Sequence, residues 1–256
     1  MTAAIVPLFF FAFLAGFIDS IVGGGGLIQL PALLIFLPQY PLATVFGTNK
    51  LVSITGTGMA AMQYSRHMRI PWRTALMTAA AAFCCSFAGA SVVSLIDSRY
   101  LRPFIIVLLI IIAVYIFFKK DFGELQTLQL TPQKQLIFGL TAGALIGFYD
   151  GFFGPGTGTF LIFAFIGLFG YTFLTATASA KVVNFATNLA AILFFLFNGS
   201  ILFQVALPMM VFNIAGALVG TRLAILKGNR FVRLLFLAVV CGVVFKLIWD
   251  TAGWHF

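Results

Sequence analysis

Acidic residues are scarce in this 256-residue chain, six Asp and Glu in all, and charged residues of either sign make up only 8% of it. A soluble globular domain carries about three times that fraction, so that class is excluded. Histidine is scarcer still: His67 and His255 are the two, both outside the apolar runs, and no metal site is expected. No Ser–His, His–Asp or Cys–His arrangement falls within the spans, so the nucleophile with its base that an intramembrane enzyme needs is missing, and no cofactor is expected. Cys84, Cys85 and Cys241 are the three cysteines, all inside apolar runs. Without a CxxC spacing they form no disulfide framework and read as small buried hydrophobes. Strand-like alternation is absent too, which excludes a β-barrel.

What remains is grease and glycine. The hydrophobic fraction is 62% and Phe alone numbers 32, with a mean hydropathy of +1.11. Apolar runs of this length cross about 30 Å of hydrocarbon as helices, so the chain is an all-α polytopic membrane protein. The net charge of +9 does not point to nucleic acid, because Lys and Arg sit in short loops beside the spans, where cations set orientation. Met1–Phe17 resembles the apolar core of a signal peptide, yet no Lys or Arg precedes it, and its counterpart Gln133–Phe148 lies mid-chain. It reads as structure.

One stretch occurs twice. Gly16-Phe17-Ile18-Asp19 followed by Gly23-Gly24-Gly25-Gly26 returns, 131 residues later, as Gly147-Phe148-Tyr149-Asp150 followed by Gly154-Pro155-Gly156-Thr157. The same offset pairs Lys50 with Lys181 and Gly89 with Gly220, and 11 of the 35 positions in Gly16–Lys50 are identical without a gap. The chain is therefore read as two units, 1–119 and 132–256, joined by a polar linker at 120–131.

Each unit opens with an apolar helix that breaks at the glycines and resumes for only 11 to 13 residues (Leu27–Leu37 and Thr157–Phe169), about half the hydrocarbon thickness at ~1.5 Å per residue. Three longer helices follow: Pro41–Ser65, Pro71–Ile96 and Leu101–Phe118 in the first unit, then Phe173–Phe197, Ile201–Leu226 and Phe231–Trp249 in the second. About eight long helices and two short half-helices result. If the broken helix returns to its own side, each unit has an odd effective number of crossings and the repeats are inverted. Ten cations then share one side, with Arg99 and Arg102 alone on the other. A plain crossing would divide them six against six, with no orientation signal. The asymmetry favours inverted repeats, the linker in the cytoplasm and both termini outside.

Inverted repeats with interrupted helices are a transporter architecture, with the unwound backbone at the repeat interface. Glycine admits φ > 0 and close backbone approach, and the half-helix N-termini that follow favour negative charge. Gly23, Gly24, Gly25, Gly26, Gly154, Pro155, Gly156 and Thr157 are thus candidates for an anion site. Lys50 and Lys181, well inside their helices, must face a partner, a cavity or water: they attract an anionic substrate, pair with Asp19 or Asp150, or snorkel. Asn49 and Asn184 lie beside them, with Thr48, Ser53, Ser179, Thr187 and Asn188. Asp19 and Asp150 either cap the N–H groups that follow or carry a coupling proton. Gly139, Gly143, Gly147 and Gly151, matched by Ala12, Gly16 and Ser20, form a ridge for close helix approach.

The doubled Gly-Phe-x-Asp break with its glycines, followed by Thr48-Asn49-Lys50 and by Ala178-Ser179-Ala180-Lys181, resembles the sulfite exporter TauE/SafE family of membrane permeases, over about residues 10 to 250. The resemblance implies a bacterial inner-membrane protein that moves sulfur-containing oxyanions or organosulfonates by alternating access. The alternative is a cation transporter for Na⁺, H⁺ or a divalent metal using Asp19 and Asp150. A scaffold that transports nothing would not require duplicated glycine breaks.

Overall fold

The structure, a computed structural model, describes residues 2–95 and 130–251. The helix expected at Leu101–Phe118, Arg99, Arg102 and nearly all of the linker lie outside the described residues. Among the described residues every regular element is a helix: α1 (Thr2–Val22), α2 (Gly26–Phe36), α3 (Leu42–His67), α4 (Trp72–Leu95), α5 (Pro132–Phe152), α6 (Thr157–Phe169), α7 (Phe173–Phe197) and α8 (Phe203–Thr251). Gly228, at φ 72° and ψ −167°, breaks α8 in two, at the boundary that the sequence places between its last two helices. The punctuation is local chemistry. The Thr131 hydroxyl accepts from Lys134 N–H with Pro132 in the first turn, the Thr172 hydroxyl accepts from Thr175 N–H, and Gly170 ends α6 in the left-handed region, its N–H on Ile166 O and that of Tyr171 on Phe165 O, a left-handed glycine closure.

Among the described residues four helices are long and apolar enough to cross a bilayer, at 72–93, 132–152, 173–197 and 203–228. Large apolar side chains such as Phe10, Leu145, Val211 and Leu226 are exposed around the perimeter, where lipid covers them. The interior is more polar than in a soluble fold. On α3, Thr48, Asn49, Lys50 and Thr57 are all buried, so that helix carries polar groups into the interior, and it is not among these four.

Helix direction settles how the repeats are related. α1 and α8 run parallel: Phe9 stacks on Phe212, Asn213 donates to Ala12 O, and Gly220 lies on Phe17 and Ser20. α5 runs parallel to α4, Gly143 against Thr78, Gly147 against Ala82 and Gly151 against Ser86. These are the same contacts under the 131-residue shift, since Gly16 meets the carbonyl of Asn213 as Gly147 meets that of Ala82, and Gly220 meets Phe17 as Gly89 meets Phe148. α3 and α7 run antiparallel, with Gly47 beside Phe195 and Ser200 but Gly58 beside Phe185. Equivalent helices that exchange partners and point oppositely are related by a two-fold axis across them, which is an inverted repeat. The glycine ridge serves close packing, because a Cβ at Gly147 or Gly151 would overlap the backbone of α4.

The first helix of each unit doubles back. Phe36 at the end of α2 lies beside Phe11 in mid-α1, ring centroids 6.2 Å apart, and Phe160 of α6 packs on Tyr149 of α5 at 5.4 Å. The two hairpin tips meet at the centre, where the backbone of Gly23 lies against Gly158 and Gly26 against Pro155. A Cβ at Gly23 or at Gly158 would have to displace the other tip.

Candidate functional site

A helix that stops inside a membrane leaves its last carbonyls without water to accept from. At the end of α1 these carbonyls are met by side chains from three other helices. Tyr64 O–H donates to Ser20 O at 3.0 Å, Thr177 O–H to Ile21 O at 3.5 Å and Thr159 O–H to Val22 O at 2.9 Å. The Lys181 ammonium donates to Asp19 O. The hydroxyls on α3, α6 and α7 and the buried lysine are therefore what allow the chain to break there.

Each lysine crosses to the aspartate of the other repeat. Lys181 Nζ lies 2.8 Å from Asp19 Oδ2 and Lys50 Nζ lies 2.7 Å from Asp150 Oδ2. The four groups are two cations and two anions, neutral together, as a buried charge cluster must nearly be. The surroundings differ. Asp19 Oδ2 also accepts from the Thr57 hydroxyl at 3.3 Å, whereas Asp150 Oδ2 takes no other hydrogen bond among the described residues. Lys181 is 0% exposed and Lys50 is 3%.

Between the hairpin tips lies a small cavity of about 20 Å³, room for about one water. Of the residues the sequence singled out, Asp19, Gly23, Gly26, Asn49, Lys50, Ser53, Asp150, Gly154, Asn184 and Asn188 line it, joined by Thr57 and Gly158. Gly24, Gly25, Pro155, Gly156, Thr157 and Lys181 do not. Pro155 packs over Gly26 and its carbonyl accepts from Tyr149 O–H at 2.5 Å. The Thr157 hydroxyl donates to Gly154 O at 2.7 Å, and Lys181 is sealed behind Asp19.

Two expectations are corrected. Neither aspartate caps the half-helix that follows it, for Gly25 and Gly156 stand at the N-caps with no side-chain bond; an ammonium 2.7 to 2.8 Å away outcompetes neutral N–H groups for a carboxylate. Nor do all the glycines serve positive φ. Gly23 (79°), Gly154 (95°) and Gly156 (84°) do, but Gly25 and Gly26 are there for space, since a Cβ would lie 2.6 Å from Asp19 Cβ and 3.1 Å from Pro155 Cα respectively.

Sequence reasoning missed a third feature, a chain of buried amides. Gln29 Nε2 donates to Asn49 Oδ1 at 2.9 Å, and Asn213 Nδ2 donates to Gln29 Oε1 at 3.1 Å, tying α2 to α3 and α8. The shifted positions are Phe160, Ala180 and Ala82, so a search for repeated residues passes over it; an unmatched Gln and Asn inside apolar runs were the available signal. Asn213→Leu is expected to lower stability by about 1–2 kcal/mol, because Gln29 Oε1 and Ala12 O lose their donor. Gln29→Leu in the same protein should add less than its own separate effect in detergent-solubilised unfolding; strict additivity would show that the amides do not act as a unit.

The comparisons with known proteins agree with this architecture. The family model described as sulfite exporter TauE/SafE matches residues 8–247. A probable membrane transporter protein of Sinorhizobium sp is 40% identical over 95% of this chain and 92% of its own. One from Haemophilus influenzae is 35% identical over 97% and 96%, and the probable membrane transporter protein YfcA of Escherichia coli is 35% identical over 96% and 90%. No solved structure matches. A match across nearly the whole length, on a chain of doubled-back helices meeting in the membrane, leaves one conclusion: this protein is a membrane transporter of the sulfite exporter TauE/SafE family.

Proposed function

We propose that the chain carries small anions, sulfur oxyanions or organosulfonates, by alternating access between its two inverted repeats. The observation that supports this best is the Lys50 ammonium on the wall of a small cavity at the meeting of the hairpin tips. An ammonium has three donors, and the first-turn backbone of α2 at Gly26 and of α6 at Gly158 shares that wall, adding the partial positive charge of two helix N-termini. Asn49 and Asn184 supply neutral donors beside it. The units 1–119 and 132–256 act as the two halves of the carrier, in the inner membrane, with the linker in the cytoplasm and both termini outside.

Flux of radiolabelled sulfite, thiosulfate and an alkanesulfonate into proteoliposomes tests the reading. We expect wild type to exceed empty vesicles for at least one of them, and Lys50→Ala to cut that flux at least about tenfold, the loss of roughly one charge-assisted contact in a dry site. Flux of every anion equal to empty vesicles would remove the reading.

Two carboxylates on the same wall favour proton coupling. When an anion draws Lys50 away, Asp150 loses its counterion, which makes it the candidate carrier of the coupling proton. Asp150→Asn should therefore leave flux insensitive to an imposed proton gradient; retained dependence would exclude that residue as the carrier. The carboxylates Asp19 and Asp150 also allow a cation route, which predicts Na⁺ or divalent-metal flux abolished in Asp150→Asn and no anion flux at all.

A further inference from the structure

We infer that the two lysine–aspartate pairs, twins by duplication, have divided their roles: Lys50 is the cation that meets the transported anion, and Lys181 is a fixed cap on the end of α1 that substrate never touches. The inference rests on the anion reading above and says which half of the symmetric cluster serves it.

Lys181 is committed on every side. Its ammonium donates to both the carboxylate and the main-chain oxygen of Asp19, and Thr57 holds the same carboxylate oxygen. It is fully buried and lies off the cavity wall. A cation at a helix C-terminus is where the helix dipole favours one, and the other carbonyls of that turn are met by fixed hydroxyls. Withdrawing Lys181 would leave the Asp19 carboxylate without its counterion and Asp19 O with the Gly23 N–H alone, in a place without water.

Lys50 has a different surrounding. Its partner oxygen takes no other hydrogen bond among the described residues, and the ammonium sits on the cavity wall next to Gly154. At the end of α5 the Phe153 and Gly154 N–H groups return to Tyr149 O and the Tyr149 hydroxyl closes the turn on Pro155 O, while Lys50 is held there through the Asp150 carboxylate. Lys50 can therefore turn from Asp150 to an incoming oxyanion without undoing the hairpin.

Full-length protein with Cys84, Cys85 and Cys241 replaced by Ser, bearing Lys50→Cys or Lys181→Cys, is reconstituted into vesicles and treated with a sulfonate-bearing methanethiosulfonate. We expect Lys50→Cys to be labelled at least about tenfold faster than Lys181→Cys. Equal rates would overturn the division of roles while leaving the anion reading standing. Absence of anion flux through the wild-type protein in the same vesicles would overturn the anion reading and with it the role given to Lys50. Thermal melting of the milder Lys50→Arg and Lys181→Arg adds a readout independent of labelling: the larger fall is expected at Lys181, and an equal or reversed order would overturn its role as a cap.

Discussion

Asp19→Asn is expected to unfold a large fraction of the protein under conditions where wild type is stable. The substitution leaves the Lys181 ammonium, 0% exposed, without a counterion, and breaking a buried pair from one side costs about 3–5 kcal/mol. That is a large share of a typical folding free energy. The double variant Asp19→Asn/Lys181→Met should recover most of the loss, because neither charge remains to be desolvated. Unfolding midpoints in detergent against SDS or urea read the difference. If the double variant is no better than Asp19→Asn alone, the ion pair is not the source of the effect.

The second large effect belongs to a single methyl group. Gly23→Ala places a side chain at φ 79° and into the backbone of Gly158 and Thr159, so conformational strain and overlap add, together at least about 2 kcal/mol. Gly24→Ala, one residue on, meets nothing nearer than 3.7 Å and has no positive φ, and should be silent in both folding and flux. Expression and size-exclusion profiles of the two variants suffice for the comparison. Similar behaviour would mean that the hairpin tips are not in contact.

Much of this was readable in the residues. The break at the glycines, the short return helices and the inverted relation all follow from hydropathy, helix length and the distribution of Lys and Arg, and α6 and α7 begin and end where the sequence places them. The lysines and aspartates were legible as a set because burying charge in hydrocarbon demands a reason. Their pairing was not, since Lys50 reaches Asp150 rather than Asp19 only because the tips cross in three dimensions. The run Gly23–Gly26 also looked uniform in the sequence, whereas each glycine answers a different neighbour: positive φ at Gly23, Asp19 Cβ at Gly25 and Pro155 at Gly26, with nothing at Gly24. The Gln29–Asn49–Asn213 chain stayed hidden because duplication draws attention to what matches, and these positions do not.

The crossed pairing also bears on how such a chain could have arisen. A single unit standing alone has one buried ammonium and one buried carboxylate, each complementary to its counterpart in another copy facing the opposite way. An unduplicated precursor would thus have been stable only as an antiparallel homodimer, inserting in both orientations. Fusion then made the partnership permanent, and the two halves became free to drift apart.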